Sequence, residues 1–281
     1  MNTLKTSRSK LKAKRAFIKK GTCSRTFFYL LNREFGHPMD NEEQAIDQLA
    51  GGIMQQGYQC GMLWGSSMAI GAESFRRNDN LALAIDKSLT ATQHTMKSFA
   101  KRTGTIECEE ITNCDFNNKK SFLKYMLTGK FVGCFKLAGK WAPEAINAAE
   151  AGLSFDPLDL GTQAQSCASE VVKQMGGTEN EMAMVAGFAG GLGLSGNGCG
   201  ALAAAVWMNA LMRNRKEEVK YTMKDPDAEK ILNAFFEETD YKMECNSITG
   251  KSFKSINEHS EFIQGGGCQK LITVLAKNAV E

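Results

Sequence analysis

The sequence predicts an all-α protein built from two homologous helical units arranged with pseudo-twofold symmetry. Three observations lead to that class. The glycine-rich stretch Leu49–Leu63 aligns without a gap on Phe188–Leu202 at an offset of 139 residues. The alignment keeps Ala50/Ala189, Gly51/Gly190, Gly52/Gly191, Gly57/Gly196, Cys60/Cys199, Gly61/Gly200 and Leu63/Leu202 identical. Eight of the nine cysteines also pair between the halves, as Cys23/Cys167, Cys60/Cys199, Cys108/Cys245 and Cys134/Cys268, and the intervals within a copy agree to within five residues. Finally, no run alternates with period two over enough residues to demand a sheet, and 4 prolines against 27 glycines favour helices joined by glycine turns. At 281 residues the chain has room for two units of ordinary domain size. We place the basic arm and first unit at residues 1–152 and the second unit at 153–281.

In chain order, Leu4 to Lys19 reads as a first helix that Gly21-Thr22 breaks. Cys23 opens a second helix to Glu34, whose Phe27, Phe28, Leu30 and Leu31 form an apolar stripe. Asp40-Asn41 caps a third helix predicted to run to Met54, with Ile46, Leu49 and Ile53 at helical spacing. The glycine turn delivers Cys60 to a helix reaching Arg76, and small residues along it (Gly61, Gly65, Ser66, Ser67) allow close helix approach. An amphipathic helix from Asp79 to Lys101 follows, then Cys108 within Glu-Cys-Glu-Glu-Ile-Thr, a short helix over Ser121–Leu127, and a helix after Gly133-Cys134 ending near Ala151. The second copy repeats the order. Thr162 to Gln165 can form a capping box ahead of Cys167. Asn180-Glu181 opens the helix entering the turn, Cys199 starts a helix to Arg213, and Asp225-Pro226 caps the next. Glu-Cys-x-x-Ile-Thr recurs at Cys245, and Gly-Cys-x-Lys-Leu recurs at Cys268 and opens the last helix.

Charge is uneven. The net charge is only +3, yet residues 1–20 carry eight Lys and Arg with no acid before Glu34. The run reads as an arm for an acidic partner or surface, or as a solvated helix. No apolar segment follows it, which argues against a secretory leader. The charge-free run Met182–Met212 is cut by its glycine turn into halves too short to cross about 30 Å of hydrocarbon, so no transmembrane segment is expected. A cytoplasmic protein follows from these points, and in that compartment nine cysteines are reduced thiols, metal ligands or catalytic groups rather than a disulfide framework. Cys114 has no counterpart.

Chemistry is therefore sought at the repeated cysteines. Cys60 and Cys199 each begin a helix, where free N–H groups and the macrodipole favour an anion, so these two are expected to be activated thiolates. Cys23 and Cys167 join them as candidate catalytic residues. Gly61, Gly196, Gly198 and Gly200 would let backbone approach a sulfur or a bound cofactor closely. Two chemistries stay open: dithiol/disulfide exchange, or a metal ion or iron–sulfur cluster held by Cys23, Cys60, Cys108 and Cys134 and again by Cys167, Cys199, Cys245 and Cys268. Absence of Cys-x-x-Cys removes the commonest zinc, ferredoxin and thioredoxin signature, and absence of a Gly-Lys-Ser/Thr removes a phosphate loop. His37, His94 and His259 do not match between copies and read as surface or core histidines.

A leading Cys, then Gly-Gly-x-Gly with Cys-Gly-x-x-x-Gly, then two isolated cysteines, resembles the C-GCAxxG-C-C family of redox-active proteins. The second copy carries Cys167, Cys199-Gly200-Ala201, Cys245 and Cys268 in family order but has Ala204 at the final motif glycine. The first keeps that glycine as Gly65 and replaces the alanine with Met62. The resemblance implies redox or metal chemistry, an oxidoreductase or a non-catalytic metal- or cluster-binding module, with an unnamed redox partner, and it leaves homo-oligomerisation open.

Overall fold

The computed structural model describes residues 12–155, 164–216 and 225–280. These residues are helical, and the extended pairing among them is limited to the isolated antiparallel bridges Gln59–Glu107 and Gly198–Glu244. The all-α class therefore holds. Helix α1 covers residues 12–20 and α2 Cys23–Glu34. The first copy continues with α3 (Asp40–Ala45), α4 (Gly61–Asn78), α5 (Leu81–Thr103), α6 (Cys108–Thr112), α7 (Lys119–Leu127) and α8 (Phe131–Leu153). The second copy has α9 (Cys167–Gln174), α10 (Glu179–Met184), α11 (Gly200–Lys216), α12 (Pro226–Glu238), α13 (Cys245–Thr249), α14 (Ile256–Gln264) and α15 (Gln269–Val280).

Local signals explain the starts. Thr22 caps α2 and Ser166 caps α9, each accepting a backbone N–H three residues on. Asp225 caps α12 with Pro226 in its first turn. A capping box does occur in the second copy, but it is Thr178 with Glu181 at the start of α10. Thr162, where the sequence suggested one, lies outside the described residues, as do Lys5, Arg8 and Lys10 of the basic arm. The arm's described part is an amphipathic helix with Ala13, Ala16 and Phe17 buried and Lys20 paired to Glu43.

One buried core runs through both copies and holds Trp64, Trp141 and Trp207. Trp141 lies between Phe27, stacked at 4.8 Å, and Phe99, edge-on at 4.6 Å. The copies exchange contacts in kind: α3 packs on α11, and α10 packs on α4. Across this contact Trp64 meets Phe188 edge-on at 4.8 Å. A Cβ on Gly65 would lie 2.0 Å from the Ser24 carbonyl, so only glycine lets α2 and α4 approach this closely. At the equivalent place α9 and α11 accommodate the fully buried methyl of Ala204. Among the described residues no helix is long and apolar enough to cross a membrane.

The third helix is shorter than its periodicity predicts. After Ala45 the chain tightens into a 3₁₀ turn, Ile46–Leu49, and then reverses hand. Gly51, Gly52, Ile53, Met54 and Gln55 all take positive φ between 50° and 80°, as do Gly190, Gly191, Leu192, Gly193 and Leu194 in the second copy, between 59° and 81°. Each is a left-handed turn, which costs roughly 1–2 kcal/mol for every non-glycine residue placed in it. Burial of Ile53 and Leu192, together with Gly57 N–H to Gly51 O and Gly196 N–H to Gly190 O, holds the turns in place.

Candidate functional site

Each left-handed turn brings one cysteine quartet together. Past the turn, the Cys60 N–H donates to Ile106 O at 2.8 Å and the Cys108 N–H to Tyr58 O at 2.7 Å. In the second copy the Cys199 N–H donates to Met243 O at 3.0 Å and the Cys245 N–H to Asn197 O at 2.7 Å. This two-residue clasp is the structural reason for the repeated Glu-Cys-x-x-Ile-Thr segment. Its threonines close α6 and α13, with Thr112 and Thr249 each donating to the carbonyl of the cysteine four residues before, at 2.7 Å. The copies also clasp each other beside the sites. Gln59 Nε2 donates to Gly191 O at 2.6 Å, and Asn197 Nδ2 donates to Glu107 Oε1 at 2.5 Å.

The first quartet, Cys23, Cys60, Cys108 and Cys134, lines a cavity of about 320 Å³. The second, Cys167, Cys199, Cys245 and Cys268, lines a space of only about 10 Å³, near the smallest that admits one water. Cys114 lines neither and takes a hydrogen bond from Ser121 Oγ. All nine cysteines are free thiols. Among the described residues no group of three or more His, Cys, Asp or Glu side chains is placed to hold a metal ion.

Protonation separates the thiols, and not as the sequence suggested. Cys23 is the thiol whose pKa falls: the Cys60 thiol donates to its sulfur, overcoming burial, and the Gly51 N–H adds a second donor. Cys60 is correspondingly driven well above the ordinary thiol range, by that same bond and by burial. Amides at the start of α11 do lower Cys199 as a helix N-terminus should, but burial outweighs them and its pKa is raised. Cys167 is raised well above the usual range by burial, then by Cys245, Cys199 and Cys268, although the Gly190 N–H opposes this. Burial also raises Cys108, Cys134 and Cys245, and pushes Cys268 up to about 12. The pKa shifts therefore run against the expectation at Cys60 and Cys199, which are raised, while Cys23 is lowered. The helix-terminus effect is real but smaller than the cost of desolvating sulfur.

The four glycines separate too. A Cβ on Gly61 would lie 2.5 Å from the Cys23 sulfur, so this glycine is what lets α4 begin against that sulfur. A Cβ on Gly200 would lie 1.9 Å from Phe188 O, a packing contact beside the second quartet. A Cβ on Gly198 would meet Gln59 and Tyr58 of the other copy, and one on Gly196 would meet Asn246.

Two more residues complete the linings: Tyr125, missed in the sequence, and His259, which reads there as a surface or core histidine and is buried. Tyr125 on α7 lines the first cavity with its hydroxyl 3.4 Å from Cys134 Sγ. His259 on α14 lines the second space, its ring edge-on to Phe253 at 5.0 Å and its Nδ1–H donating to Gln165 O at 3.3 Å. Burial lowers the His259 pKa to about 4, so the ring is neutral near pH 7. The signal was present: the 134-residue offset that pairs Cys134 with Cys268 also pairs Tyr125 with His259.

Comparison with known proteins agrees with the cysteine pattern. A model of the family described as "Putative redox-active protein (C_GCAxxG_C_C)" matches residues 22–145 and again residues 163–281. The comparisons with curated proteins and with solved structures each returned no match. With most of the chain covered by two successive matches to one family, it belongs to the C-GCAxxG-C-C redox-active proteins, in two tandem copies.

Proposed function

We propose that this chain is a dithiol–disulfide exchange protein whose working pair is Cys23 and Cys60. The observation that carries the reading is that the Cys23 and Cys60 thiols are hydrogen-bonded to each other in the wall of an open cavity. Such a pair needs no further base. The Cys23 thiolate attacks one sulfur of a disulfide R–S–S–R, forming a mixed disulfide as R–S⁻ leaves. The Cys60 proton passes to the departing thiolate. The Cys60 sulfur then attacks Cys23 Sγ, expels the second R–S⁻, which is protonated from solvent, and closes a Cys23–Cys60 disulfide. Two electrons move from the dithiol to the substrate disulfide, which becomes two thiols, and reversal regenerates the dithiol. Cys167 and Cys199, buried under α14, form a closed counterpart that scaffolds the shared core. A cytoplasmic setting keeps the nine thiols reduced.

Thiol counting tests the reading. Treatment with one equivalent of a small disulfide should consume two of the nine thiols, restored by reductant, and peptide mapping should find Cys23 linked to Cys60. Cys60→Ser should instead accumulate a mixed disulfide on Cys23, and Cys23→Ser should form neither. A link between any other two cysteines, or no reversible link, overturns the pairing.

A further inference from the structure

From the wall of the first cavity we infer that its occupant is a small, uncharged and largely apolar molecule carrying one hydrogen-bond acceptor. This rests on the dithiol reading above and supplies the substrate class that it leaves open: a neutral organic disulfide rather than a peptide or a charged one such as glutathione disulfide.

The wall contains five phenylalanines and Tyr125, and no Lys, Arg, Asp, Glu or His lines it. A charged substrate would lose its hydration there without gaining an ion pair, a cost that neutral molecules escape. The polar groups that do line the cavity are almost all engaged. Thr22 Oγ1 donates to Asp47, Thr112 Oγ1 to Cys108 O, and the Tyr125 hydroxyl meets the Cys134 sulfur. Gln55 is the exception, since its Nε2 is shielded from solvent and has no partner. An unmade hydrogen bond of this kind costs free energy until a ligand acceptor satisfies it. At about 320 Å³ the space stands at the lower end of small-molecule sites. Its rim includes Met126 on α7, which lines the cavity while 44% exposed. Entry is therefore past an apolar side chain, and the Cys23 sulfur waits inside.

In the step that results, Cys23 sulfur forms a bond to one sulfur of the neutral disulfide and the S–S bond of that substrate breaks. The two electrons come from the Cys23–Cys60 dithiol, and the products are two neutral thiols.

Two measurements decide the matter. Thiol release from neutral 2,2′-dithiodipyridine and from dianionic dithiobis(nitrobenzoate) is timed, each rate divided by that of 2-mercaptoethanol with the same reagent. The wild-type chain should favour the neutral reagent by about tenfold or more, and Met126→Lys, at a partly exposed position, should narrow that ratio at least about threefold by adding charge at the rim. Separately, neutral N-phenyl-1-naphthylamine should bind Cys23→Ser one to one, and Met126→Lys in that background should weaken it. If the Cys23–Cys60 disulfide forms but the dianion is preferred or the neutral probe does not bind, the substrate class is wrong and the redox pair survives. If the probe binds and responds to Met126→Lys while no disulfide forms, the occupant class stands and the dithiol reading falls.

Discussion

At the first quartet α7 holds Tyr125 against Cys134 and leaves about 320 Å³ in front of the sulfurs; at the second, α14 closes down to about 10 Å³. The backbone beneath is alike in both, with the same left-handed turn and the same clasp between the second and third cysteines. What differs is how the covering helix is tied. Ser260 Oγ accepts from the Gln165 N–H at 2.9 Å and lies 3.2 Å from Gln165 O, while His259 bonds the same carbonyl, pinning α14 to the residue two before Cys167. Met126, which the 134-residue offset aligns with Ser260, offers no hydrogen bond, and α7 buries only Tyr125 while Leu123 and Leu127 stand 58% and 78% exposed. Duplication thus kept the frame that gathers four thiols and changed the lid. The lid sets how much space stands in front of each quartet.

The sharpest way to break this comparison is to ask which thiol reacts first. Cys23 is partly exposed and lowered in pKa, whereas Cys167 is buried and raised. A short iodoacetamide pulse at pH 7.5, read by peptide mass, should label Cys23 at least about tenfold faster than Cys167 or Cys199, since each pKa unit changes the thiolate fraction about tenfold. Faster labelling of Cys60 would restore the helix-terminus expectation within the first copy, and faster labelling of Cys199 would also remove the distinction drawn between the copies.

Much of this frame was legible before any coordinates. The matching glycine stretches and the cysteine spacing exposed the duplication, and Thr22, Asp225 and the apolar stripe of Phe27, Phe28 and Leu31 marked helices that form where expected. The left-handed turn was not legible. Ile53, Met54 and Gln55 have no preference for positive φ, and Ile46, Leu49 and Ile53 continue a helical period straight through it. Tertiary burial, not local propensity, sets that backbone. Helix α14 was also missed, because His259 and Ser260 occupy its buried face and blunt the apolar pattern. Cavity size depends on where α7 and α14 settle, a difference between packed helices that no single segment encodes.

A middling effect tests the tie itself. Ser260→Ala removes the hydroxyl that engages Gln165 and should cost about 1–2 kcal/mol in urea unfolding, the usual loss for a buried pair of hydrogen bonds. Cys167 labelling should then rise severalfold while Cys23 labelling stays constant. Unchanged Cys167 labelling at reduced stability would mean that the ring of His259 and the packing of Phe253 and Phe262, rather than the hydroxyl, keep the second site shut.

A stability effect of similar size, confined to high pH, concerns the contact between the copies. Glu107 accepts from Asn197 of the other copy, whereas Glu244 at the matching position takes Ser247 Oγ of its own helix at 3.1 Å. Burial raises the Glu107 pKa to about 7, the bond from Asn197 only partly offsetting it, with Glu110 and Glu244 adding repulsion. The folded chain therefore holds a proton that the unfolded chain releases near the ordinary glutamate value. Stability from this group is fully present below about pH 4.5 and is lost as pH rises through about 7. Glu107→Gln abolishes that loss, because its neutral amide oxygen can still accept from Asn197. Discounted for the partial exposure of the site, the gain should be about 1–2 kcal/mol at pH 8 and near zero at pH 4.5, read as a shift in urea midpoint. An equal shift at both pH values would show that the substitution acts through packing, and the carboxyl charge would then have no part in how the two copies are joined.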